Sequence, residues 1–347
     1  MQNILPDYSD PLFSILLIVA MALIIALVTY AWGIYHQQKE QGNLLKFLEK
    51  FDSSECAFDT EDTPFESHML QPLMLLAKAF ESAGAYPKAI SIYLYILKNM
   101  EDESHRSELM ERLGSTYLHA GFLERARSIY SEILRKRPRN RQVLHELGVV
   151  YEMMHRYDRA KEVIEPLETL GEEVALLRAF LDFSEVRYDK ALSSKAKITQ
   201  LRGLLTQAPA LYRQIVGVML QLDTHEAWRI IDPERLDELI DILWFLPDSQ
   251  LDLDIITSSG ALRTLYYAKG YLPTPACESG IFSLDMLATA KRSGFEEGDL
   301  LFSYLCQKCK QSFPISFGRC PNCMAINSLK VEEKIAKATP QTHYSLL

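Results

Sequence analysis

From Pro11 to Tyr35 the chain runs 25 consecutive residues without Asp, Glu, Lys, Arg or His, and the core of that run reads LFSILLIVAMALIIALV. A hydrocarbon layer about 30 Å thick needs roughly 20 apolar residues at the helical rise, so the pattern predicts a transmembrane helix over 12–35. A cleaved secretory signal fits less well, because no basic region leads the apolar run and Asp7 and Asp10 stand there instead. Lys39, Lys46 and Lys50 follow the run and no basic residue precedes it. That asymmetry predicts residues 1–11 outside the membrane and the rest of the chain in the cytoplasm, with Tyr30, Trp32 and Tyr35 at the inner interface.

Residues 36–69 carry a short amphipathic stretch around Leu44, Leu45, Phe47, Leu48 and Phe51, then turn acidic with Asp52, Glu55, Asp59, Glu61, Asp62 and Glu66. This composition predicts a solvated linker, with a docking segment as the alternative. A repeat follows over 70–170. LGSTYLHAGFLERARSIYSEILRKRP begins at Leu113 and LGVVYEMMHRYDRAKEVIEPL at Leu147; Gly114 to Gly148 and Ala126 to Ala160 are both offsets of 34 residues. An earlier copy begins at Leu76, with Ala77 and Ala89 at the small positions, 37 residues ahead of the second. These residues resemble tetratricopeptide repeats, in which small side chains let paired helices approach and a proline such as Pro138 ends the second helix.

From 171 to 299 apolar residues still recur at three and four spacings, in EVALLRAFLDF, LYRQIVGVMLQL and LDELIDILWFL, and no strand alternation is sustained. The pattern predicts degenerate helix pairs with Trp228 and Trp244 in their core. In such a solenoid the first helix of each pair lines a groove, which places Gln71, Lys78, Glu81, Glu108, Glu111, Ser115, Gln142, His145 and Glu152 on a candidate protein-binding surface. Taken singly, each also fits a solvated helix face.

Composition adds two constraints. The 347 residues hold 37 basic and 46 acidic side chains, a net charge of −9, which argues against a general nucleic-acid surface. Gly and Pro number only 15 each, in keeping with long helices and short connections. Four of the six cysteines, Cys306, Cys309, Cys320 and Cys323, form two C-x-x-C pairs, while Cys56 and Cys277 stand apart. Two such hairpins supply four thiolates to one tetrahedral ion, zinc or iron. A closed set of four leaves no open coordination position for hydrolysis, and no flavin or dinucleotide motif accompanies it. The small module over 300–335 is therefore expected to fold around one structural zinc, with iron as the other ion four thiolates accept. Over residues 306–337, Lys308, Lys310, Arg319, Lys330, Lys334 and Lys337 against Glu332 and Glu333 give a local charge of +4, suited to a protein or an anionic membrane surface. No H-E-x-x-H, G-x-S-x-G or phosphate-loop motif is present, so the chain is read as a non-enzyme.

The order of anchor, repeats and YLCQKCKQSFPISFGRCPNC resembles the lipopolysaccharide assembly protein B family of Gram-negative bacteria, whose C-terminal module is rubredoxin-like. The chain departs from it in its acidic linker, in its poorly matched later repeats, and in Lys310 and Met324, where rubredoxins usually carry glycine. The resemblance implies an all-α tetratricopeptide solenoid with an N-terminal transmembrane helix and a small rubredoxin-like or zinc-ribbon module before a tail at 336–347. It implies a single-pass inner-membrane adaptor with a cytoplasmic body, regulating lipid A synthesis alongside a membrane-bound ATP-dependent protease and the lipid A pathway deacetylase. A scaffold for another envelope assembly machine, such as secretion or pilus assembly, is the alternative, and a rubredoxin-type electron carrier a further one.

Overall fold

The computed structural model describes residues 21, 27–28, 65, 67–100, 103–274 and 278–337. The predicted external segment, most of the predicted span and linker, Cys56, Cys277 and residues 338–347 lie outside them. Met21, Leu27 and Val28, which fall within the predicted span, are helical. Among the described residues no helix is long and apolar enough to cross a membrane.

The chain is mostly helical and divides into two compact units, Met1–Met100 and Glu101–Leu347. In the first, α1 (Leu70–Ser82) and α2 (Tyr86–Asn99) form a hairpin that buries Leu73, Ala77, Ala89, Ile92 and Ile96. The turn between them needs one left-handed residue, and Gly84 supplies it at φ +73°.

The second unit repeats this hairpin. Helices α3 (Glu103–His119) and α4 (Leu123–Lys136) turn at Gly121, φ +79°; α5 (Arg141–Met153) and α6 (Tyr157–Thr169) turn at His155, φ +56°. Gly84, Gly121 and His155 are 37 and 34 residues apart, the offsets of the sequence repeat, so the same backbone turn recurs in register. The small positions allow close approach: a Cβ on Gly114 would lie 2.4 Å from Tyr130 Cε1, and one on Gly148 would lie 3.1 Å from Ile164 Cγ2.

Helices α7 (Ala175–Tyr188), α8 (Ser194–Gln207) and α9 (Tyr212–Leu222) continue the helical run. Shorter helices follow: α10 (Thr224–Trp228), α11 (Leu236–Trp244), α12 (Leu253–Ser258), α13 (Gly260–Lys269) and α14 (Phe282–Arg292). Side-chain caps hold several of these starts, with Asp223, Asp252 and Ser259 accepting from the backbone N–H groups of Glu226, Ile255 and Leu262. Trp228 and Trp244 are buried in the core that α7–α14 share.

That core extends onto a three-stranded antiparallel sheet in the order β2 (Ser312–Phe313), β1 (Gly298–Cys306), β3 (Leu329–Lys337). Gly298 pairs with Lys337 and Cys306 with Leu329, so the sheet starts two residues before the predicted module and ends two after it. Leu300, Tyr304 and Val331 point into the helical core. Helix α14 meets the strands closely: a Cβ on Gly298 would lie 2.3 Å from Leu287 Cδ1. The apolar loop segment behaves otherwise. Phe317 packs on the core and Phe313 meets it edge-on at 5.2 Å, but Ile315 is 76% exposed.

Candidate metal centre

Strand β1 ends at Cys306 and hands the chain to a tight turn carrying Cys309; a second turn of the same design carries Cys320 and Cys323. In the first, the Lys310 N–H donates to Cys306 O at 2.8 Å, and in the second the Met324 N–H donates to Cys320 O at 3.0 Å. Each donor residue is left-handed, Lys310 at φ +61° and Met324 at φ +55°. Glycine would adopt this conformation at least cost. Lys310 and Met324 thus each close their turn as a left-handed residue other than glycine.

The turns converge. All four Sγ atoms lie within 4.8 Å of one another, with Cys306 to Cys323 and Cys309 to Cys320 both 3.7 Å apart. A disulfide would need about 2.05 Å. Four thiolates about 2.3 Å from a central ion would form a tetrahedron with edges of about 3.8 Å, so these cysteines fit a tetrahedral metal ion. Cys306 and Cys320 are fully buried.

The sulfurs differ in their readiness to ionise. Burial opposes a charge on Cys306, yet the backbone N–H groups of Cys309 and Lys308 and the Ser328 hydroxyl outweigh it and bring its pKa down to about 6. The Cys306 thiol donates to Ser328 Oγ at 3.3 Å and, once ionised, can accept from the same hydroxyl. The Gln311 N–H lowers Cys309. Burial pushes Cys320 up to about 12 and also raises Cys323. A full set of four thiolates therefore needs a cation to hold it near neutral pH, and loading the site releases protons.

The second turn is tied to distant helices. Arg319, just before Cys320, donates through Nε to Glu152 Oε1 on α5 at 3.2 Å and through Nη2 to the other carboxylate oxygen. Both side chains are largely buried, at 13% and 12% exposed, and the guanidinium lies 5.3 Å from the centre of the Phe180 ring on α7. His119 Nε2 on α3 meets Asn322 O at 3.1 Å. A second tie sits beneath β1. Arg213 on α9 donates twice to Asp241 on α11, at 2.7 Å each, and once to Ser316 Oγ at 3.1 Å. The Tyr304 hydroxyl donates to Asp241 Oδ2 at 2.9 Å.

The predicted groove residues divide. Gln71 and Lys78 are exposed and Glu81 half-buried, all on α1. In the second unit Glu108 and Gln142 are exposed, and each engages its own helix, Glu108 with Arg112 and Gln142 with Glu146. Glu111 accepts from Asn140 Nδ2 at 2.7 Å, binding the start of α5 to α3. The Ser115 carbonyl meets His119 Nδ1 at 2.8 Å. His145 pairs with Glu172 and lines a cavity of about 520 Å³ whose other wall includes Lys308 and Asn327 of the module. Glu152 is covered by Arg319. Sequence reasoning missed Arg213, Asp241 and Tyr304; the available signal was a charge set inside each of two apolar helical runs.

Comparison with known proteins finds no family model and no curated protein that matches this chain.

Proposed function

We propose that the chain is a membrane-anchored, non-enzymatic adaptor with tetratricopeptide repeats, of the lipopolysaccharide assembly protein B type. It is held in the bacterial inner membrane by residues 12–35, with its body in the cytoplasm. In this reading the body presents a client, the deacetylase that commits carbon to lipid A, to a membrane-bound ATP-dependent protease. The observation that carries it is the docking of a four-cysteine module onto repeat helices through the buried Arg319–Glu152 pair. A closed set of four sulfurs offers no open metal position, so the module serves as part of a binding body rather than as a reactive centre.

Cys306, Cys309, Cys320 and Cys323 would hold one zinc, which contributes folding free energy to a module too small to supply much core. Affinity capture of the full chain from detergent-solubilised membranes tests the adaptor role. Co-recovery of the protease and the deacetylase is the expected result. Secretion or pilus subunits in their place would transfer the chain to the envelope-scaffold reading, and recovery of neither class would refute both.

A further inference from the structure

We infer that the loop joining α4 to α5 is a docking surface for anionic lipid headgroups, an inference that rests on the membrane anchoring proposed above. Arg135, Lys136, Arg137, Arg139 and Arg141 place five cations in seven residues of a chain whose net charge is −9. Two of them, Arg135 and Lys136, lie in the last turn of α4, where a helix dipole favours cations. The dipole does not account for Arg137 and Arg139, which lie beyond that turn. Arg141 is engaged by the fold, donating to Leu170 O at 2.7 Å and lying 3.7 Å from Glu172.

The side chains of Arg135, Arg137 and Arg139 are different. All three residues are exposed, and among the described residues none forms an ion pair or side-chain hydrogen bond with them. Arg106 on α3 lies beside the patch, lining with Glu132, Lys136 and Arg137 a hollow of about 60 Å³. Arg135, Arg137 and Arg139 thus form the exposed cationic core of the patch.

Nucleic acid is a poor match, because the rest of the chain is acidic and would repel a long polyanion. A bilayer matches better. Residues 36–64, between the predicted span and Phe65, can reach at most about 100 Å even fully extended. An anchored chain therefore keeps the loop at a high effective concentration beside the headgroups, where even a weak patch is occupied.

The full chain is placed in lipid nanodiscs of phosphatidylcholine alone, or with one third phosphatidylglycerol. Incorporation is read by size exclusion, and brief trypsin digestion follows. Each cation near an anionic leaflet raises the bound-to-free ratio about five-fold, so cleavage after Arg135, Lys136 and Arg139 should slow at least that much on anionic discs. The protection should vanish in about 1 M salt, where the screening length falls to about 3 Å. Arg137→Gln combined with Arg139→Gln keeps the sites at Arg135 and Lys136 and should lower the bound-to-free ratio about 25-fold. Equal cleavage on both discs would overturn the inference and leave an acidic protein as the patch's partner. Protection that survives high salt would also overturn it. Failure to enter the discs would instead refute the anchoring, and this inference with it.

Discussion

Replacing Asp241 with Asn tests whether the module and the helices form one cooperative body. Its carboxylate is 4% exposed, accepts two 2.7 Å bonds from Arg213, itself 11% exposed, and takes a third bond from Tyr304. Asparagine keeps the shape but removes the counter-ion, and it turns an NH2 group toward a donor. Breaking one side of a buried pair costs about 3–5 kcal/mol, because the remaining charge is left unpaired. For a unit of this size each kcal/mol shifts the melting temperature by about 2–4 °C, so Asp241→Asn should lower it by about 6–20 °C.

Urea unfolding followed by tryptophan fluorescence reads this directly, since Trp228 and Trp244 lie in the same core. Tyr304→Phe removes one bond to a charged group and should cost less, about 1.5–3 kcal/mol. The pair Arg213→Met with Asp241→Leu removes both charges together and should be milder than Asp241→Asn alone, since apolar replacements of buried ion pairs are often neutral or stabilising. If Asp241→Asn cost under about 1 kcal/mol, or the double variant were as unstable as the single one, the reasoning would fail.

Four further outcomes are expected. Purified protein should be colourless with about one zinc per chain, whereas a red protein with stoichiometric iron that reductant bleaches would favour electron transfer. Cys309→Ser should lose the metal and impair control of lipid A synthesis while leaving membrane fractionation unchanged; full control without metal would contradict the binding-body role. Two glycines should respond with opposite signs: Gly114→Ala drives a methyl into Tyr130 and should cost about 1–2 kcal/mol net, while Gly203→Ala on α8 meets nothing within 4 Å and should gain up to about 1 kcal/mol in a urea titration. Burial raises the pKa of Tyr130, Tyr266 and Tyr304, and pushes Tyr157 up to about 12. A raised pKa means the native state holds its proton more tightly, so this stability is complete below about pH 10 and lost as pH climbs toward 12 and beyond, at about 1.4 kcal/mol per pH unit per tyrosine. Tyr157→Phe should make the alkaline loss shallower between pH 10 and 12, and an unchanged slope in urea midpoints would count against it.

The repeat and the cysteine spacing were legible because each is a local, periodic constraint. Ala126 and Ala160 are fully buried at the small positions, and the four sulfurs meet as two C-x-x-C turns should. Polar helix positions were less informative. Glu152 and Glu108 read alike in sequence, yet Glu152 finds Arg319, 167 residues away, while Glu108 stays on the surface with Arg112. Periodicity marks the face a residue occupies and carries no record of what later chain lies on that face. Lys310 and Met324 carry the opposite lesson. They depart from the glycines usual in rubredoxins, yet the turn fixes their left-handed backbone, and surrounding bonds offset the roughly 1–2 kcal/mol such residues cost.

The two buried ties also decide how the site and the helices share their stability. Ser316 and Arg319 sit between the two cysteine pairs, and Tyr304 stands two residues ahead of the first, so both of these ties leave the module within a few residues of a sulfur. If the cysteine turns come apart, Arg319 withdraws from Glu152 and Phe180, while Asp241 and Arg213 lose Tyr304 and Ser316 but keep each other. Glu152 then remains on α5 without its cation, and a half-broken buried pair costs more than an absent one. Stability gained by closing the four sulfurs therefore spreads along α5, α7, α9 and α11, and stability lost there returns to the sulfurs. Variants at Glu152 or Asp241, remote in sequence from every cysteine, should weaken metal retention in a chelator competition, whereas an exposed change such as Glu108→Gln should leave it unaltered.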